Sequence, residues 1–488
     1  MASLTRTAWL LVLAAACGKP DPTPRVAADT ITVRLPMRRG GDRREITLPV
    51  VRVRAKSAGH DPVFWFNGGP GQSNLHRGGA TRLGDAFEFV HVGYRGADGT
   101  PLLDCPEVTA AFKQVDDPLA SDGLATLGRA TAACHARLML AGVDIDGFTA
   151  LEVVDDAEAV RQALGYDKIS VVGESYGTRV AYLYAARYPE HTARVVLLGA
   201  NPPGRMVWDG RQSDSLLAEF AVRWDRAHPD RRLLDDMRAV NAHFPRTWLG
   251  MPIREGAVRA GTFAFLFGTR EAAPALQAWQ AAAQGDASGL WLMSVAAHFI
   301  FPTIVNWGDN DAKAMSADYV PGTDYRAVML PPGSVLGAPL GYLLWSMASA
   351  WPMRSMPDAW RLPRRVEAPA LLIGGNLDIS TPVLNAQRDL LPVMPNARLV
   401  VLRDAGHLSD VWGAHGKATE RMLSSFLATS VVDTSLVREI PADLEVTRSY
   451  TVFAKTIIAA VLLLIVLFSG VTWMIARRLR RRRVSERG

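Results

Sequence analysis

The sequence predicts an α/β fold, with helices on both faces of a mostly parallel sheet, a large helical insertion and a C-terminal transmembrane helix. Short apolar runs such as Val63–Phe66 and Phe87–Val92 end in glycine-rich turns, as buried parallel strands do. This rhythm stops after Gly204 and returns beyond Arg365. An uncharged segment at residues 456–476 lies close to the C-terminus. These three observations predict the architecture.

The composition allows a large core and gives no sign of nucleic-acid binding. With 488 residues, 49% of them apolar, the chain can form one large domain with an insertion, or two domains. The formal net charge of +6 belongs to the tail, because residues 477–488 carry seven arginines and one glutamate. The rest of the chain is neutral overall, so no nucleic-acid partner is expected.

The clearest strand–helix units lie between residues 149 and 198. Apolar residues recur on one face of residues 149–165, which predicts a helix. A strand over Ile169–Val172 leads into the sequence GESYG, a helix over Tyr176–Tyr188 and a strand over Val195–Leu198. Further strands are predicted at Thr30–Leu35, Glu45–Arg54, Leu371–Ile373 and Leu399–Leu402.

The chain is predicted to divide into seven parts. They are a signal peptide (1–16), a spacer (17–30), a catalytic domain (31–204 and 366–430), a helical cap (205–365), a juxtamembrane linker (431–455), a transmembrane helix (456–476) and a basic tail (477–488).

The N-terminus has the features of an export signal. Arg6 precedes a short apolar run, and a small-residue site precedes Cys17. The string LAAAC resembles a bacterial lipoprotein box, which predicts lipidation of Cys17, with ordinary signal cleavage as the alternative. Export leads to an oxidising compartment, so Cys105 and Cys134 are predicted to form a disulfide. Two buried free thiols are the alternative.

The C-terminal segment predicts a membrane anchor. At 1.5 Å per residue, residues 456–476 would form about 31 Å of helix, which matches a bilayer core. The positive-inside rule keeps the arginine-rich tail in the cytoplasm and places the preceding domain outside it. The expected location is therefore the cell membrane, with an extracytoplasmic catalytic domain and a tail attracted to anionic lipid.

Ser175, at the centre of GESYG, is the predicted nucleophile. A serine hydroxyl needs a neighbouring imidazole to take its proton. Gly173 and Gly177 remove side chains that would collide in a tight strand–turn–helix. The pentapeptide alone is a weak signal, and a purely structural turn is the alternative.

The predicted partners of Ser175 follow late strands. His407, in the loop after one of them, is the expected base, and Asp378, just past LLIGG, is expected to orient its ring. Asp404 is a rival for the acidic role, and His415 is expected on the helix that follows.

A pair of backbone donors should stabilise the oxyanion. One is the N–H of Tyr176; the other comes from FNGGPG, where Gly69 is favoured over Gly68. No metal and no cofactor are expected.

Five segments together resemble the tripeptidyl aminopeptidase and proline iminopeptidase group of α/β-hydrolases. They are FNGGPGQS (66–73), GYRGADGTPLLDCPE (93–107), GYDKISVVGESYGTRVA (165–181), LLIGGNLDISTP (371–382) and AGH (405–407). The similarity covers about residues 45–430 and is weak in the cap. It implies an α/β-hydrolase fold and an exopeptidase that removes short units from peptide N-termini. It also implies the triad Ser175, Asp378 and His407, in the chain order of that fold.

The resemblance has a visible departure. Relatives commonly read Asp-Gln-Arg-Gly where this chain has Gly93, Tyr94, Arg95 and Gly96. Hydrogen bonding beside the site is therefore expected to differ. The group also holds the substrate amine with cap carboxylates, and none of the candidates can be matched to them: Asp209, Glu219, Glu255 and Glu271.

Other functions remain open at this point. The same machinery would serve an esterase acting on small esters or lipids, so the expected substrate is a peptide or a small ester. A serine carboxypeptidase would use Glu174, beside the nucleophile, to recognise a C-terminal carboxylate. A binding protein that has lost activity is the alternative from another class. The oligomeric state is left open.

Overall fold

A computed structural model of the protein describes residues 28–41, 43–56 and 59–485. The predicted signal peptide, the candidate lipidation site Cys17 and most of the predicted spacer lie outside these residues. So do the last three residues of the predicted tail.

Ten strands of the described residues form one sheet, and two short strands form a hairpin within residues 205–365, the segment predicted to be the cap and called the cap below. The strands are β1 (Ala28–Pro36), β2 (Glu45–Val53), β3 (Val63–Phe66), β4 (Phe89–Val92), β5 (Arg95–Gly96), β6 (Asp98–Leu102), β7 (Ile169–Glu174), β8 (Thr192–Leu198), β9 (Thr247–Trp248), β10 (Met251–Pro252), β11 (Ala370–Gly375) and β12 (Ala397–Leu402). The main sheet has the order β12-β11-β8-β7-β3-β4-β2-β6-β5, with β1 also on β2. From β12 to β4 each neighbouring pair is parallel, whereas β2 is antiparallel to β4 and β1.

The helices surround this sheet and form the insertion. They are α1 (Gly78–Arg82), α2 (Pro106–Phe112), α3 (Ser121–Leu140), α4 (Ala150–Ala163), α5 (Tyr176–Arg187), α6 (Gly210–Ala227), α7 (Leu233–Ala242), α8 (Glu255–Phe265), α9 (Thr269–Ala283), α10 (Ser288–Ile300), α11 (Trp307–Asp318), α12 (Tyr325–Met329), α13 (Pro339–Ser346), α14 (Asp358–Arg361), α15 (Val383–Asn385), α16 (Leu408–Trp412), α17 (Gly416–Thr429) and α18 (Tyr450–Ser485). Short 3-10 or π-helical turns lie at Ile145–Gly147, Pro189–His191, Phe301–Thr303, Ala348–Ala350, Ala386–Leu390 and Leu391–Val393.

Alternate residues of the strands enter different cores, which explains the continuous apolar runs. Phe64 and Phe66 of β3 pack with α4 and α5 on one face of the sheet. Val63 and Trp65 pack with α17 on the other face. A strand buried on both faces needs apolar side chains in both directions. The predicted α/β-hydrolase arrangement is confirmed.

Helices α6 to α13 form most of a third core, which includes the aromatic side chains of the insertion. Helix α11 lies in this segment but is also bonded to the sheet domain. Lys313 donates to the carbonyl of Arg95 at 3.0 Å, and Asp318 forms a 2.6 Å ion pair with Arg179 of α5. This helix therefore joins the insertion to the domain that carries the predicted nucleophile.

Two predicted boundaries differ from the structure, namely the end of the spacer and the start of the C-terminal helix. Strand β1 begins at Ala28, so residues 28–30, predicted as spacer, already belong to the sheet, where they pair with β2. Helix α18 begins at Tyr450, six residues before the predicted span, and runs on to Ser485. Its segment Tyr450–Arg478 is long and apolar enough to cross a membrane. The prediction missed the early start because the first turns of α18 pack on the cap and are not lipid-like.

Candidate active site

A cavity of about 330 Å³ lies where the sheet domain meets the cap. Its sheet-side lining includes Gly68, Gly69, Ser175, Tyr176 and His407. The cap contributes mainly apolar side chains: Met206, Trp208, Phe267, Ile304, Val305, Met315, Leu340, Leu344 and Trp345. The predicted nucleophile, base and oxyanion residues thus face one apolar cavity, of the size that binds small ligands.

Ser175 occupies a sharp turn between β7 and α5. Its φ of 52° lies in the left-handed region, which a non-glycine residue adopts only at some energetic cost. The turn is held from outside, because the Ser175 N–H donates to the carbonyl of Leu198 at 2.8 Å. A side chain at Gly173 would collide with Gly177, and one at Gly177 would collide with Phe66. Glycine is therefore required on both sides of the serine.

His407 is held by a buried carboxylate. Its Nδ1 lies 2.6 Å from Oδ2 of Asp378, which is 1% exposed. Asp378 also accepts hydrogen bonds from the N–H groups of Ser380 and Thr381, at 2.9 and 2.8 Å, and from the Thr381 hydroxyl at 2.7 Å. Burial raises the pKa of Asp378, but the charge and hydrogen bonds of His407 and Thr381 together lower it below its ordinary value.

The rival residues have other contacts. The carboxylate of Asp404 accepts from Nε of Arg223 at 2.7 Å, which ties the His407 loop to the cap helix α6. His415 is buried and was predicted to lie on the helix that follows His407. It is the N-cap residue of α17, one position before that helix begins. Neither residue lines the cavity beside Ser175.

The glycine loop approaches the serine closely. A Cβ built at Gly68 would lie 3.2 Å from Cβ of Ser175, and Gly69 has a φ of 135°, which favours glycine. Gly68 and Gly69 both line the cavity together with Tyr176, the first residue of α5. Because both glycines line the cavity, the choice of Gly69 as the second oxyanion donor stays a prediction.

Residues 93–96, where the sequence departs from the Asp-Gln-Arg-Gly motif of its relatives, lie beside the glycine loop and Tyr176. The Asp98 carboxylate accepts from the N–H groups of Tyr94 and Asn74, at 2.8 and 2.9 Å. The Tyr94 hydroxyl donates to the carbonyl of Asn67 at 2.9 Å, and its ring packs edge-on against Tyr176. Tyr94 thus contacts both segments expected to supply oxyanion donors, a role that the motif alone did not show.

Glu174, beside the nucleophile, points away from the cavity. Its Oε1 accepts from Nε1 of Trp412 at 2.8 Å, and the residue is not part of the cavity lining. Burial raises the pKa of Glu174 to about 7.

Asp311 is the cavity carboxylate that the sequence did not reveal. It lies on α11, is 3% exposed and lines the cavity. Its Oδ1 accepts from Nδ2 of Asn310 at 3.2 Å, whereas Oδ2 has no hydrogen-bond partner. Burial raises the pKa of Asp311 to about 7. A buried carboxylate with a free oxygen would be stabilised by a cation placed next to it.

The cap carboxylates considered from the sequence do not line this cavity. Asp209 accepts from backbone N–H groups at the start of α6, and Glu219 pairs with Arg223 at 2.8 Å. Glu255 lies 3.3 Å from Arg246, and Glu271 accepts from the Ser409 hydroxyl at 3.3 Å.

Cys105 and Cys134 are joined by a disulfide that links the start of α2 to α3, with a Cα–Cα distance of 5.4 Å. Among the described residues, no group of three or more His, Cys, Asp or Glu side chains is arranged to hold a metal ion.

A profile of the alpha/beta hydrolase fold family matches residues 62–414. The chain belongs to the α/β-hydrolase family. The matched region contains Ser175, Asp378, His407 and the whole insertion between them. The family assignment confirms the fold implied by the sequence motifs.

Three relatives are similar over shorter regions. A putative hydrolase, YuaR, from Escherichia coli K12 is 27% identical over 37% of this chain and 38% of its own length. Serine protease Hip1 from Mycobacterium tuberculosis H37Rv is 30% identical over 28% of each chain. A tripeptidyl aminopeptidase from Streptomyces lividans is 25% identical over 37% of this chain and 36% of its own length. The chain thus matches only about a third of each relative, and two of the three are named as peptidases.

Proposed function

We propose that the protein is a membrane-anchored serine hydrolase that removes short units from the free N-termini of peptides. One observation carries the hydrolase part: Ser175, on a sharp turn, shares a cavity with His407, whose ring is bonded to the buried Asp378. The names of the peptidase relatives support a peptide substrate.

In the proposed reaction, the Ser175 oxygen attacks the substrate carbonyl while Nε2 of His407 takes its proton. Asp378 keeps the other proton on Nδ1 and stabilises the charged ring. The N–H groups of Tyr176 and Gly69 stabilise the oxyanion. His407 then gives its proton to the leaving amine, and water hydrolyses the acyl-Ser175 intermediate by the same route.

Asp311 supports the specificity for a free N-terminus. A peptide with a free amino end brings a cation into the cavity, and Oδ2 of Asp311 is a buried acceptor without a partner. Pairing the two would offset the cost of burying the carboxylate charge. Glu174 gives no such support to a carboxypeptidase, because its carboxyl is bonded to Trp412 outside the cavity.

An esterase is the second candidate. The observation that favours it is the largely apolar cap lining, with Trp208, Phe267 and Leu344 among its members. Such a lining would also accept an acyl chain without a charged end.

The proposed location is the membrane, with the catalytic domain outside the cytoplasm. The support is the apolar segment Tyr450–Arg478 of α18, followed by the arginine-rich tail. The division into a catalytic domain and a cap, and the lipidation of Cys17, belong to the same proposal.

The deciding experiment incubates the full-length protein, in detergent, with a peptide library supplied in free and N-acetylated forms. Mass spectrometry reads the products, and Ser175→Ala serves as the control. We expect trimming by one or three residues from free N-termini only, and none by Ser175→Ala. Trimming from C-termini, or hydrolysis of small esters alone, would contradict the proposal.

A further inference from the structure

Helix α9 lies between the segment that carries His407 and the start of α18, the helix proposed to cross the membrane. It has 15 residues, which corresponds to a length of about 22 Å. Its first turn contacts the segment around His407, and its middle, at Gln277, contacts the start of α18.

The contact at the start of α9 includes one buried carboxylate, that of Asp410. Asp410 accepts from the N–H of Gly406 at 2.6 Å and from the N–H and hydroxyl of Thr269, at 3.0 and 3.1 Å. The N–H of His407 donates to the carbonyl of Phe267 at 2.5 Å. The backbone on both sides of the histidine is therefore fixed to the segment that begins α9. A carboxylate at a helix N-terminus is also favoured by the helix dipole.

A second contact, made by Gln277 in the middle of α9, is with the start of α18. The hydroxyl of Ser449 donates to Oε1 of Gln277 at 3.1 Å, and Nε2 of Gln277 lies 3.4 Å from the hydroxyl of Thr451. Just beyond α9, Asp286 forms a 2.7 Å ion pair with Lys455. These bonds hold the two helices together at the polar end of the anchor.

One face of α18 packs on the cap through its first two turns. Thr451 and Ala454 are buried, and Ile457 and Ile458 are half-buried against the core of the cap. Their spacing of three and four residues is that of one helix face. Val452, on the opposite face, is 62% exposed. The cap contact therefore continues into the uncharged segment of the anchor.

We propose that the buried face of α18, formed by Thr451, Ala454, Ile457 and Ile458, is a positioning element for His407 that acts through α9 and Asp410. The way the membrane helix sits on the cap then sets how well the histidine loop is placed to activate Ser175. This inference rests on the proposed function, because it concerns the same Ser175–His407 pair. A packed helix transmits a displacement between its two contacts because neither contact has free space in which to absorb it.

The test compares two full-length variants that add the same side chain to opposite faces of α18. Ala454→Phe forces a large ring into the buried face, whereas Val452→Phe places it on the exposed face. The readout is the second-order rate at which a fluorophosphonate probe labels Ser175. We expect Ala454→Phe to slow labelling about 3- to 30-fold and Val452→Phe to leave the rate unchanged within about twofold. Thr451→Val, which keeps the volume and removes the hydroxyl near Gln277, should slow labelling in the same direction.

A double-mutant cycle separates positioning from simple loss of stability. Asp410→Asn weakens the link at the start of α9, so combining it with Ala454→Phe should slow labelling less than the product of the two single effects. Thermal unfolding of each variant is measured alongside. Effects that multiply, or a rate that follows only the melting temperature, would overturn the positioning role.

Two further outcomes distinguish this inference from the proposed function. Equal labelling of the parent chain, Ala454→Phe and Val452→Phe, all abolished by Ser175→Ala, would overturn the positioning role alone. A folded parent chain whose Ser175 does not react would overturn the proposed function, and the positioning role with it.

Discussion

Two buried carboxylates near the cavity, Asp378 after β11 and Asp311 on α11, have opposite surroundings. Asp378 accepts hydrogen bonds from two backbone N–H groups, a threonine hydroxyl and His407. Asp311 accepts one bond from Asn310 and keeps one oxygen without a partner. Burial raises the pKa of both, but only Asp378 has the partners that lower its pKa below the ordinary value. The number of hydrogen-bond partners therefore distinguishes the two buried carboxylates. Asp378 has enough partners to stay ionised and orient His407, whereas Asp311 keeps an oxygen free to bind a ligand.

The largest expected effect is for a substitution of Asp378, the carboxylate whose hydrogen-bond partners are complete. In Asp378→Asn the amide cannot hold His407 as a carboxylate does, so the ring takes the wrong tautomer and its charged form loses its partner. We expect kcat to fall about 10³- to 10⁴-fold for peptide and ester substrates alike. Steady-state kinetics with an alanyl nitroanilide and with 4-nitrophenyl acetate would measure it. A fall of less than tenfold would remove Asp378 from the proposed triad.

The same substitution of Asp311, the carboxylate with a free oxygen, should affect only substrates that have a free amine. Asp311→Asn keeps the size of the side chain and removes the charge that would pair with the substrate amine. We expect kcat/KM for a free-amine peptide to fall about 10- to 100-fold, as when a charged hydrogen bond is lost. Hydrolysis of 4-nitrophenyl acetate should stay within about twofold. Equal losses on both substrates would show that Asp311 is needed for the fold of the cavity and not for amine binding.

The raised pKa of Asp311 also predicts a pH dependence. The carboxyl is ionised above its pKa of about 7 and neutral below it, and only the ionised form attracts the substrate ammonium. The ratio of kcat/KM for the free-amine peptide to that for the ester should therefore fall as the pH is lowered through 7. In Asp311→Asn the ratio should not change over this range. A parent ratio that is flat between pH 6 and 8 would argue against ionised Asp311 as the amine partner.

The region around Asp378 could be predicted because its signals are local. Apolar runs followed by glycine-rich turns mark the carboxyl ends of parallel strands, where β3 has the predicted bounds and β7 and β11 extend them by two or three residues. Residues at those ends come together in any parallel sheet. The prediction that Ser175, Asp378 and His407 lie near one another could therefore be made from their positions in the chain alone.

The region around Asp311 could not be predicted because its signals are not local. The sequence of α11, WGDNDAKAMSAD, has the charge content of a solvated helix, yet its charged residues are buried. Lys313 pairs with Asp309 and also bonds Arg95, and the partner of Asp318 is Arg179, 139 residues away in sequence. Asp309 lies four residues before Lys313 in α11, but nothing near α11 in the chain reveals Arg95 or Arg179 as partners. The early start of α18 was missed for the same reason, since its first turns are held by the cap.

The smallest expected effect concerns Asp404, three residues before His407 in the chain. Its side chain is 30% exposed and pairs with Arg223, which is 17% exposed, so the ion pair is partly screened by water. Pairs of this kind contribute about 1 kcal/mol or less. Asp404→Asn should therefore lower kcat less than about threefold on both substrates, with Arg223→Gln as the matched variant on the other side of the bond. A loss of more than about 100-fold in Asp404→Asn, with Arg223→Gln near normal, would mean that His407 depends on Asp404. The contrast between Asp378 and Asp311 would then no longer explain which carboxylate serves the histidine.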